Sequence, residues 1–184
     1  MNITVTVPPD DEPVTVDDAK DWARLTDASQ DALVEALITE ARARVESFCG
    51  RALLTQTIVQ RYDCWPRYFE LLRSPVQSVT SLQYIDTAGV TQTVGSSNYY
   101  TDLVSEPGRL VPVPSYSWPL LQEGRPNAVI LTYVAGATDA DDVPTTAKTA
   151  IKMLVRHWVD NEGAQGQVDM PEHVRDMLWP LRIP

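Results

Sequence analysis

Residues 31–50, DALVEALITEARARVESFCG, constrain the fold more than any other stretch of this chain. Leu33, Leu37, Ala41, Val45 and Phe48 recur at the spacing of one face of an α-helix, and Val34, Ile38 and Cys49 widen the stripe. Glu35, Glu40, Arg42, Arg44 and Glu46 fall off it. The pairs Glu40–Arg44 and Arg42–Glu46, each four residues apart, therefore read as modest surface ion pairs. Asp27 or Ser29 is placed to cap the start, and Gly50 stands where helices take a left-handed C-terminal stop. A stripe this wide belongs to a helix packed into a core. At about 1.5 Å per residue the rod is about 30 Å long, the span of a small domain. Each buried leucine on it contributes about 1.5–3 kcal/mol, so one such helix can anchor a fold.

A second helical signal precedes it. Thr15 can cap a segment running to about Leu25, with Asp17 and Asp18 in the first turn, where the helix dipole favours negative charge. Val16, Ala19, Trp22 and Ala23 form its apolar side, and the short link 26–30 implies an antiparallel or crossed helix pair. Residues 8–13, PPDDEP, read as an extended arm. After Gly50 the period changes. Residues 55–62, 76–85 and 128–134 are rich in β-branched side chains, and 68–72, 99–103 and 109–111 add shorter strand signals. Residues 86–89, DTAG, make a hairpin turn between 82–85 and 90–94. Pro107, Pro112, Pro114, Pro119 and Pro126 confine the stretch 106–127 to loops and edge strands. Helical spacing returns after Pro144 with Ala147, Ala150, Ile151, Leu154, Val155 and Trp158, and Gly163 is the expected stop. A Gly/Gln link follows, then a short helix from Pro171 with Val174, Met177, Leu178 and Leu181 on one side, ended by Pro180.

This order predicts an α+β fold, a small helical bundle of about four helices with an inserted antiparallel β-subdomain. The expected division is an N-terminal arm and helical hairpin at 1–54, the β-subdomain at 55–137, and C-terminal helices with a terminal interaction arm at 138–184.

The 184 residues suit one domain or one carrying an insertion, and 43% hydrophobic with 22% charged residues is an ordinary globular composition. No apolar run approaches the roughly eighteen residues of a membrane span, and the first residues lack a basic segment followed by an apolar one. The chain reads as soluble and cytoplasmic, with no membrane partner. A net charge of −10 gives no general attraction for DNA or an anionic membrane. Cys49 and Cys64 are too few for a disulfide framework and lack zinc-type spacing, so Cys49 reads as a small buried hydrophobe.

A search for chemistry finds little. His157 and His173 fall on the third and fourth helices with no partner motif. Asp139, Asp141 and Asp142 resemble the start of a calcium loop, but Pro144 and Ala150 stand where its glycine and glutamate belong, so they read as a solvated turn. Ser115 and Ser117 have no histidine nearby in sequence, and no nucleophile-elbow, zinc-protease or phosphate-loop motif occurs. No catalytic residue, cofactor or metal is expected, and the chain reads as non-enzymatic. The large residues are more informative. Trp65, Tyr68, Tyr116 and Trp118 either cover the β-subdomain or offer stacking faces, which supports an alternative reading as a small-ligand or glycan-binding module. The terminal WPLRIP segment is apolar, set off by proline and short of core partners, which points to an interface.

Several pieces, in this order, resemble the head–tail connector, or adaptor, proteins of tailed bacteriophages and gene transfer agents. They are VTVDDAK at 14–20, Ala41-Arg42 through Val45-Glu46 to GRAL at 50–53, LRSPVQSV at 72–79 with Tyr84-Ile85-Asp86, YVAG at 133–136, Val143-Pro144 with Ala147-Lys148, and Met170-Pro171 to Pro180-Leu181-Arg182. The chain departs from that pattern at Trp158, where the family often has Tyr, and at Asn161-Glu162, where it has Asn-Arg-Glu. The resemblance implies a structural protein of the virion or particle neck, assembled in the bacterial cytoplasm. Copies would form a ring, commonly of twelve, beneath the portal protein. The ring would extend the DNA channel without sequence-specific binding and offer a platform to a stopper or other neck or tail protein. The family's portal-grasping segment maps onto Trp179, Leu181, Arg182 and Ile183.

Overall fold

The computed structural model of the chain describes residues 1–161 and 170–183. The expected stop at Gly163, the Gly/Gln link, Glu162 and Pro184 lie outside them. The chain is α+β and divides into two compact units, one of Asp10–Leu54 with Ala137–Pro184, the other of Met1–Pro9 with Thr55–Gly136.

The first unit is the helical bundle. It contains α1 (Val16–Ala23), α2 (Asp31–Cys49), α3 (Thr145–Asp160) and α4 (Glu172–Leu178). Thr15 caps α1 as expected, its hydroxyl accepting the Asp18 N–H at 3.1 Å. Asp27 caps a 3₁₀ turn, Ala28–Gln30, that leads into α2, and Gly50 closes α2 at φ 68°. Trp22 does not join the core: it is 42% exposed, with the Lys152 ammonium 5.1 Å above its ring.

The face of α2 that is buried is rotated from the expected one. Val34, Ile38, Ala41, Val45 and Cys49 are buried, while Leu33 turns out to solvent. The rotation takes Arg42 and Glu46 inside, so they are not the surface pair that spacing alone suggests. Arg42 Nε donates to Glu12 Oε2 at 2.7 Å and its Nη1 to Glu46 Oε2 at 3.0 Å. Glu46 Oε1 accepts the Leu53 N–H at 2.7 Å, and the Thr39 hydroxyl donates to Glu12 at 2.9 Å. The chain on either side of the helix pair thus brings the partners that make these charges tolerable away from water. Glu40–Arg44 remains an exposed pair at 2.9 Å.

The second unit holds eight strands: β1 (Asn2–Val7), β2 (Gln56–Tyr62), β3 (Phe69–Leu71), β4 (Val76–Ile85), β5 (Thr91–Thr93), β6 (Tyr99–Asp102), β7 (Gly108–Pro112) and β8 (Val129–Ala135). Seven of them lie within two residues of the sequence expectation. β1 is the addition, and its signal is a β-branched run at residues 3–7. A five-stranded sheet has the order β1-β2-β8-β4-β5 and a three-stranded sheet the order β3-β7-β6, with every named strand pair antiparallel. Central β8 alternates, burying Val129, Leu131, Tyr133 and Ala135, which is the period-two pattern of a half-covered sheet. At the DTAG turn Asp86 accepts the N–H groups of Ala88 and Val90 at 2.9 and 3.0 Å, and Gly89 takes φ 80°.

One buried polar side chain joins the two sheets. Gln60 on β2 is fully buried, and its amide donates to the Glu70 carbonyl at 3.0 Å and accepts the Leu72 N–H at 3.2 Å. It treats the outer edge of β3 as a neighbouring strand would, and satisfies it.

Candidate functional site

α4 is fixed by Val174 and Leu178, both fully buried in the bundle core. The helix does not stop at Pro180: a 3₁₀ turn, Trp179–Leu181, carries it through, because proline at an early position has no N–H that the turn needs. The segment is therefore less detached than its sequence suggests. Leu181 packs against the bundle core, and its carbonyl accepts from Arg51 Nε at 2.5 Å. The Ile183 N–H donates to the Cys49 carbonyl at 2.8 Å, which ties the chain end to the C-terminus of α2. Ile183 passes Gly50 at ordinary van der Waals distance, a Cβ there lying 3.7 Å from its carbonyl oxygen.

The four expected contact residues thus divide into two pairs. Leu181 and Ile183 are half-buried and hold the segment to its own bundle. Trp179, 60% exposed, and Arg182, exposed, face outward. The Arg182 guanidinium lies 5.2 Å from the Trp179 ring and 5.8 Å from that of Phe48, and the two rings are 6.4 Å apart. Phe48 belongs with them, which its place in the α2 stripe concealed. Its position two residues before Gly50 was the available signal. A cation held between two aromatic faces is preorganised for contact, and Trp and Arg dominate interface energetics. Beneath this cluster burial pushes the Cys49 thiol up to about 11, against the weaker pull of Arg51 and Arg182. It sits there as a neutral hydrophobe.

The other candidates are dispersed. Trp65 and Trp118 stack on each other at 4.6 Å with planes 6° apart, and Phe69 meets both edge-on. Tyr116 packs against Trp118, and Trp65 Nε1 donates to the Pro119 carbonyl at 2.8 Å. These rings cover one another, while Tyr68 stands apart and exposed. Asp139 accepts the Asp141 N–H at 2.8 Å in a 3₁₀ turn before α3. His157 and His173 border one shallow depression with Trp22, Met153, Arg156 and Asp160. Among the described residues no group of His, Cys, Asp and Glu is arranged to hold a metal.

Against known proteins, residues 12–183 match the family described as head completion protein. No curated protein sequence matches the chain. Solved structures share its fold, among them three whose match covers the whole chain. A chain from the neck of an empty GTA particle computed with C6 symmetry is 20% identical with a TM-score of 0.80. A chain from the virion of a native gene transfer agent particle is 19% identical with a TM-score of 0.78, and one from a native GTA neck computed with C12 symmetry is 19% identical with a TM-score of 0.74. Each comparison covers 100% of this chain and 96% of the other.

Proposed function

The chain belongs to the head completion protein family, and from that premise we infer that it is a structural, non-enzymatic part of the neck of a phage or phage-like particle. Copies form a ring beneath the portal protein, continue the DNA channel, and give a stopper or other neck protein its platform. Assembly takes place in the bacterial cytoplasm. The observation that carries this reading is the extent of the likeness: the whole chain, bundle and β-unit together, corresponds to chains of necks computed with cyclic symmetry. A cyclic neck needs many copies of one part, each using two different faces.

In this reading the portal contact lies at Trp179, Leu181, Arg182 and Ile183, with Phe48 added. Leu181 and Ile183 set the backbone, and the Trp179–Arg182–Phe48 cluster reaches the partner. The net charge of −10 suits a conduit, since an acidic wall repels phosphate and lets DNA pass without sticking.

The test is to change Trp179→Ala and Arg182→Ala together, leaving the two anchoring residues in place. The monomer keeps its helical circular dichroism, and attachment to portal-bearing particles falls, since each lost anchor costs about 2 kcal/mol or more. Unchanged attachment refutes the portal contact. Cryo-electron microscopy of purified necks tests the whole reading: a ring of this chain against the portal is expected, and its absence from the neck overturns it.

A further inference from the structure

The five-stranded sheet has two outer strands, β1 and β5, each paired on one side only among the described residues. Natural proteins guard such edges, most often with charged side chains, because unpaired N–H and C=O groups recruit other strands. Here neither edge strand carries a charged side chain; β5 is only short, and β1 only bulged near its end. Residues 1–9, MNITVTVPP, carry no charged side chain, and neither do residues 87–101, TAGVTQTVGSSNYYT, which contain β5. In a chain with 22% charged residues these two stretches stand out, and the sheet places the strands they contain, β1 and β5, at its opposite ends.

β1 also buries little of itself. Ile3 is half-buried and its other five residues are exposed, Val5 at 45% and Val7 at 53%. It is held by its ladder to β2 and by the Thr6 hydroxyl, which donates to the Thr57 carbonyl at 3.2 Å. All three residues of β5 are exposed.

We propose that β1 of one copy pairs with β5 of the next, so that the sheets join edge to edge around the ring. This rests on the ring reading above. Four facts favour a second copy as the occupant. The two edges are different surfaces of one molecule, as a head-to-tail contact requires. They are alike in chemistry, each Thr-bearing with no charged side chain in the strand itself, the Asp86 carboxylate beside β5 being engaged by the Gln92 amide at 2.9 Å. Copies that each carry −10 repel one another least where neither presents charge. The strand directions also fit. Four antiparallel steps lead from β1 to β5, so the two run the same way within one sheet. A rotation about an axis roughly along the strands keeps that direction, and β1 then meets the neighbour's β5 as a parallel pair. The bulge between Val5 and Val7 limits the regular part of β1 to residues 2–5, close to the three-residue length of β5.

The experiment uses the full chain with Cys64→Ser, leaving Cys49 buried. One preparation carries Thr4→Cys, a second Thr93→Cys, and they are mixed during ring assembly on portal-bearing particles. A short thiol-to-thiol crosslinker is expected to give the mixed Thr4→Cys/Thr93→Cys dimer well above either like-with-like dimer. A single chain with both changes is expected to give a ladder of oligomers. Independently, Thr4→Lys or Thr93→Lys places a charge at the joint and is expected to lower ring occupancy at least about tenfold, with the thermal transition of the monomer unchanged. Rings that form normally with both lysine variants, or like-with-like dimers that predominate, overturn the edge pairing and leave the ring standing. If wild-type particles show no ring by electron microscopy, both readings fall.

Discussion

Arg42→Met tests the ion triad inside the bundle. Arg42 and Glu46 side chains are 8% and 9% exposed, while Glu12 is 23% exposed. Removing the guanidinium deletes charge-assisted bonds at 2.7 and 3.0 Å, each contributing about 1.5–3 kcal/mol. Glu12 can turn partly to water, but Glu46 is pinned by the Leu53 N–H and stays buried after losing the Arg42 guanidinium. The expected loss is about 3–5 kcal/mol, the range for breaking a buried pair. Urea unfolding followed by circular dichroism at the helix band measures it. Arg44→Met is the control, because the exposed Glu40–Arg44 pair contributes at most about 1 kcal/mol. Adding Glu46→Gln to Arg42→Met removes the buried negative charge while its amide oxygen still accepts from Leu53. The double variant should therefore lose less than the sum of its two single changes. An Arg42→Met variant no worse than Arg44→Met, or two changes whose costs simply add, would refute the buried pair.

Three further predictions concern Gln60 and the two cysteines. Gln60→Leu leaves the Glu70 carbonyl and Leu72 N–H without their shared partner and should destabilise the β-unit by about 2–4 kcal/mol, read from urea unfolding with Trp65 and Trp118 fluorescence. Cys64, exposed, should react with iodoacetamide at pH 8 while native Cys49 does not, as mass spectrometry would show. Because burial raises the Cys49 thiol from 9.0 to about 11, its contribution to stability is intact below pH 9 and fades as pH rises towards 11, where the folded thiol also ionises.

The strands were legible because the DTAG turn and the β-branched runs are local signals, as were the Thr15 cap and the Gly50 stop. What the sequence hid was set by tertiary partners. The α2 stripe is wide enough to admit two orientations, and the one adopted is fixed by Glu12 and Leu53, distant from the helix centre in sequence. Trp22 looked apolar but keeps company with Lys152, a pairing no spacing rule finds across 130 residues. At the C-terminus the composition of WPLRIP suggests contact surface, but only the fold separates Leu181 and Ile183, which hold the segment, from Trp179 and Arg182, which are exposed. β1 is hard to recognise because six residues before a proline-rich arm resemble a loose end until β2 is placed beside them.

Charge placement gives the ring reading a sign that can be measured. Each copy carries −10, so neighbours in a ring repel over the surface they share. If the joint is the uncharged β1 and β5 edges, no attractive ion pair crosses it, and salt acts only by screening the repulsion. The Debye length falls from about 30 Å at 0.01 M to about 10 Å at 0.1 M, which brings much of each copy's charge out of reach of the next. Ring formation should therefore strengthen with ionic strength over that range, as analytical ultracentrifugation or mass photometry of full-length protein on portal assemblies would record. A joint built on complementary charge gives the opposite slope, and so does assembly driven by holding DNA, whose affinity falls steeply with salt. Rings that weaken as salt rises would refute the uncharged joint.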